Sequence, residues 1–102
     1  MSARRRLAKL RIGGHDYPIR YHPAWEGAHS QVLGSVVFEK CEILMDEEPC
    51  ESRHDETLLH EILEILNYHY ELALPHPHIT SLSEGLYQVL RDNPGWWRGK
   101  VK

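Results

Sequence analysis

The sequence predicts an α+β domain in which an N-terminal sheet of three or four strands, antiparallel or mixed, packs against two C-terminal helices. Three observations lead there. Period-2 alternation is confined to residues 7–46, helical periodicity is confined to residues 52–74 and 80–93, and 102 residues allow one domain with one modest core. The composition, 41% hydrophobic and 26% charged, is that of an ordinary globular chain. No internal repeat or low-complexity segment interrupts it.

Residues 1–6 form a basic arm, since Arg4, Arg5 and Arg6 follow Met1-Ser2-Ala3 without the apolar run of a signal peptide. No segment approaches membrane-spanning length, so the expected compartment is the cytoplasm, where Cys41 and Cys50 stay reduced. Residues 8–12 alternate apolar and basic side chains and read as a first strand. Gly13-Gly14 supplies the turn, and residues 15–21 return with Tyr17, Ile19 and Tyr21 on one face. Pro18 lacks an N–H and places that strand at an edge. Residues 23–30, with Trp25 and His29, read as a loop, with His22 and His29 solvated rather than ligating.

The β-branched run at 32–38 is expected to be a central strand with a bulge at Gly34. Residues 41–46 make the strand that leads, through the acidic connector at 46–51, into the first helix. That helix is expected over 52–74, because Leu59, Ile62, Leu63, Ile65, Leu66, Tyr70 and Leu72 cover one arc at 100° per residue. His60, Glu64, Asn67 and Glu71 align on the opposite, solvated side. Pro75 and Pro77 stop it. The second helix is expected over 80–93 with Ser81 and Glu84 as a capping box, and with Leu82, Leu86, Val89 and Leu90 as its buried stripe. Residues 94–102 form a tail. One of Trp96 and Trp97 is expected to pack back, the pair otherwise making an aromatic patch for a partner.

Charge is segregated: every acid except Asp16 lies between residues 21 and 95, while that stretch holds only Lys40, Arg53 and Arg91 as bases. Basic ends without a recognisable reader fold argue against nucleic acid as the partner. The chemistry is concentrated elsewhere. His60-Glu61-Ile62-Leu63-Glu64 differs by one residue from the H-E-x-x-H signature, in which two imidazoles one turn apart bind zinc and the intervening Glu activates water. Glu64 occupies the second ligand position, and a carboxylate there can still bind a divalent metal. His76, in the Leu74-Pro75-His76 loop, is a candidate to restore the missing imidazole.

Residues 57–68, Leu74-Pro75-His76 and residues 82–94 together resemble small phage and bacterial proteins related to the minigluzincin metallopeptidases. The resemblance implies a small twisted sheet on the motif-bearing helix. It implies His60 as first ligand, Glu61 as general base, Glu64 in the place of the second His and Glu84 as third ligand. It also implies a divalent metal, zinc among the candidates, as cofactor and a peptide or protein as substrate or partner, in the cytoplasm of a bacterial host cell. The alternative reading is a metal-free derivative that binds a protein.

Overall fold

The computed structural model describes residues 6–23 and 33–97, with Trp97 described by its backbone alone. The basic arm before Arg6, the loop carrying Trp25 and His29, and the tail beyond Trp97 lie outside the described residues. Four strands, β1 (Lys9–Ile12), β2 (His15–His22), β3 (Gly34–Val37) and β4 (Glu42–Asp46), precede three helices. These are α1 (Glu51–His69), α2 (His76–Asp92) and the single turn α3 (Pro94–Trp97). The class is α+β, as the segregation of the two periodicities predicts.

The sheet is mixed, in the order β1-β2-β4-β3. Two expectations about its edges are corrected. Strand β2 is internal despite Pro18, because it divides its length between two neighbours. Its first half pairs antiparallel with β1 as far as Lys9 opposite Pro18, and parallel pairing with β4 begins only at Ile19 opposite Ile43. The missing N–H falls where the strand changes partners, so no ladder bond is lost. Strand β3, expected to be central, stands at the edge of the sheet among the described residues. The internal position goes to β4, whose Ile43 and Met45 are fully buried.

Ile12, Tyr17, Ile19, Ile43 and Met45 of the sheet pack on Leu58 and Ile65 of α1 to form the core. At one end, His54 of α1 is buried and its ring nitrogens meet Asp55 at 3.0 Å and the Tyr21 hydroxyl at 3.2 Å. At the other end, His69 lies over the β1–β2 turn. Gly13 and Gly14 both have positive φ, at 59° and 84°, but only at Gly13 would a Cβ collide, 2.6 Å from His69 Cδ2. Gly14→Ala is therefore expected to cost about 1–2 kcal/mol from the left-handed backbone alone. Gly13→Ala should cost more, because His69 must also move; urea unfolding of the two variants checks the order.

The helices depart from expectation at their ends and faces. Helix α1 stops at His69 rather than near residue 74, because the Asn67 amide takes hold of the chain ahead. Asn67 Nδ2 donates to the Leu74 carbonyl at 3.1 Å, and the Leu74 N–H donates to Asn67 Oδ1 at 2.9 Å. Glu71 and Ala73 take φ of 53° and 60° in that turn. Helix α2 begins at His76, four residues early. Pro75 caps it and Pro77 lies in the first turn, where an N–H would lack a helical acceptor anyway. Ser81 and Glu84 are then mid-helix, and the expected capping box does not form.

Tyr70 and Leu72, on the apolar arc, are more than half exposed, while on the opposite side α2 packs against α1 and leaves His60, Glu64 and Asn67 half-buried and Glu71 exposed. The buried residues of α2 are Ile79 and Ser83, while Leu82, Leu86 and Val89 remain exposed. Trp96 is 65% exposed. Both cysteines are free thiols, and no helix among the described residues is long and apolar enough to cross a membrane.

Candidate metal centre

The early stop of α1 and the early start of α2 set His76 beside Glu64. One turn separates His60 from Glu64 on α1, and their side chains meet with His60 Nε2 at 3.1 Å from Glu64 Oε2. From α2, His76 Nδ1 approaches the same oxygen at 2.8 Å. The two imidazole rings stand edge to face, 5.0 Å between centroids. One donor atom from each of the three residues lies within 4.8 Å of the others, so small side-chain rotations that bring them within about 4 Å would let all three share one ion with bonds of about 2 Å.

Glu61, the next residue on α1, points inward under β3. It is 6% exposed, and burial together with the nearby Glu64 charge pushes its carboxyl up to about 7. Gly34 makes room for it. A Cβ at Gly34 would stand 2.9 Å from Thr57 Cγ2 and 3.2 Å from Glu61 Oε2, so the glycine is there for close approach of β3 to α1, not for the expected bulge.

These groups line a cleft of about 620 Å³. The strand segment from Leu33 to Val36 forms one wall, α1 the floor, and Thr80, Ser83 and Glu84 of α2 the other wall. Arg53 and Glu56 line it toward the start of α1. Of the residues singled out in the sequence, the fold brings together His60, Glu64 and His76 with Glu61 adjoining. Glu84 lines the cleft but stands outside the group of three. None of the tyrosines near the motif lines it: Tyr68 stacks on Phe38, Tyr70 is exposed, and Tyr87 lies beneath Arg91. His22 and His78 also stand outside it.

Sequence reasoning missed Ser83 and Asn67. Ser83 is 2% exposed with its hydroxyl donated to the Thr80 carbonyl, and no spacing in the sequence marks a lone serine as buried. The signal for Asn67 was present, since an Asn in the last turn of a helix is a strong local hydrogen-bonding group. No family model matches the chain, and no curated protein or solved structure matches it at a significant level.

Proposed function

We propose that the chain is a metal-dependent peptidase, binding one divalent ion through His60, Glu64 and His76 and using Glu61 as general base. The observation that carries this reading is the convergence of two imidazole nitrogens and one carboxylate oxygen beside a buried carboxyl raised to about 7. Two His and one Glu are the ligand set of one class of catalytic zinc site, which keeps a fourth position open. His76 supplies from the second helix the imidazole that Glu64 displaces from the motif. A divalent ion, when bound, contributes a Lewis acid. Glu61 would take the proton of the attacking water and pass it to the departing amine, and a bound ion, by favouring the carboxylate, would keep it in the form that accepts the proton. Strand β3, the last strand of the sheet among the described residues, lines the cleft, and an extended peptide bound there would run beside it. The resemblance to phage and bacterial proteins supports the cytoplasm of a bacterial host as its place of action.

Incubation with an unfolded protein such as casein, with zinc, manganese or cobalt supplied in turn, tests the activity. Cleavage that a chelator abolishes is the expected result, and no cleavage with any of the three ions overturns it. A second reading, a metal-free module that binds a protein, is favoured by one observation: Glu64 accepts from both imidazoles, which satisfies the cluster without an ion. Protein purified without chelator would then contain no stoichiometric metal.

Glu84 separates the geometry from the resemblance. As it stands outside the three converging donors, Glu84→Gln is expected to change zinc affinity by less than about 10-fold, the lower limit for losing a residue that orients a ligand. Isothermal titration that finds a larger loss would return Glu84 to the ligand set.

A further inference from the structure

Arg53 lines the cleft at the end where α1 begins, and the fold gives its charge nothing to hold. Among the described residues, Arg11, Arg20 and Arg91 each pair with a carboxylate. Arg6 donates to two carbonyls and lies over the Tyr21 ring. Arg53 makes no side-chain hydrogen bond or ion pair with a described residue, although Glu56 lines the same end of the cleft. It also stands in the first turn of α1, where a cation opposes the helix dipole. Of the described residues lining the cleft it is the one permanent cation, against Glu56, Glu61, Glu64 and Glu84.

We infer that Arg53 receives a carboxylate of the bound peptide, about three residues beyond the bond under attack. At 100° per residue, Arg53, Thr57, His60 and Glu64 share one face of α1, and all of them line the cleft. Arg53 precedes His60 by two turns, about 10 Å along the helix axis, and an extended peptide covers that span in about three residues. The register rests on the peptidase reading; the carboxylate contact does not, since it requires no cleavage. The carboxylate belongs either to the C-terminus of the peptide or to an Asp or Glu side chain, and both present two oxygens to the guanidinium fork. The glutamates elsewhere in the cleft repel an anion, so Arg53 is the place that accepts one. A terminal carboxylate lies on the leaving-amine side of the scissile bond, and its contact with Arg53 would run the peptide with its C-terminus toward the start of α1.

Binding of three acetylated peptides to the full chain in chelator, followed by NMR titration, tests this. The probes are tetra-alanine with a free C-terminus, the same peptide amidated, and an amidated peptide in which Asp replaces the last alanine. The expected result is that at least one carboxylate-bearing peptide binds about 10-fold or more tightly than the amidated tetra-alanine, and that Arg53→Gln loses this preference. Which of the two binds tightly tells the chain terminus from the side chain. The melting temperature of Arg53→Gln should not fall, because glutamine suits a helix and the charge opposing the dipole is gone. A preference absent from both peptides, or one that survives in Arg53→Gln, overturns the inference even where zinc-dependent cleavage of casein stands. A preference that Arg53→Gln abolishes, without any cleavage of casein, upholds the carboxylate site and removes the peptidase reading.

Discussion

Glu61→Gln is expected to stabilise the metal-free protein at pH 8 while abolishing peptide cleavage. The carboxyl has a folded-state pKa of about 7 against an ordinary value of 4.5, so the folded state binds the proton more tightly than the unfolded state. Below pH 4.5 both states are protonated and the group costs nothing. As pH rises from 4.5 to 7 the unfolded state gains charge first, and stability falls. Above 7 the loss levels off at about 3 kcal/mol, taking 1.36 kcal/mol per pKa unit. Glutamine cannot ionise. The variant should match the wild type near pH 4 and exceed it by up to about 3 kcal/mol at pH 8, which urea unfolding at the two pH values measures. Zinc should shrink the difference by favouring the Glu61 carboxylate. Equal pH dependence in variant and wild type would show that Glu61 is hydrated rather than buried.

His76→Ala is expected to remove zinc-dependent stabilisation while leaving the metal-free protein nearly unchanged. An ion at about 100 times its dissociation constant stabilises the fold by about 2.7 kcal/mol, which raises the melting temperature of a domain of this size by roughly 10 °C or more. With His76 gone, two donors remain and that rise should vanish at the same zinc concentration. In the absence of zinc the change should stay within about 0.5 kcal/mol, because the side chain is 68% exposed and its bond to Glu64 is solvated. His60→Ala should lose the same rise. Thermal melts with and without zinc, followed by the same melts in chelator, separate the two effects. A full zinc shift in His76→Ala would remove this residue from the site.

The fold class was legible because its evidence is local: alternation and helical periodicity occupy different halves of the chain. Placement within the sheet was not. Pro18 reads as an edge signal because a sequence shows that an N–H is missing, not that a strand exchanges neighbours at that residue. Helical faces were misjudged for a related reason. Periodicity finds an apolar arc, but α1 lies between a sheet and a second helix, so His60 and Glu64 are covered as well, and half the apolar arc of α2 is left over. Within the site, His60, Glu61 and Glu64 are fixed by spacing along one helix. The contribution of His76 depends on where two helices end, which Asn67, Pro75 and Pro77 decide together.

The turn that Asn67 closes has an energetic consequence for the candidate metal centre. Glu71 and Ala73 are held in left-handed backbone conformations, each costing about 1–2 kcal/mol for a residue with a side chain. The two hydrogen bonds to Leu74 and the docking of α2 offset that strain, and the cost is met whenever the chain folds, with or without an ion. On the proposed reading, a metal would then have three side chains to reorient and no ordering of residues 70–75 to drive, which would leave more of its binding energy available as affinity.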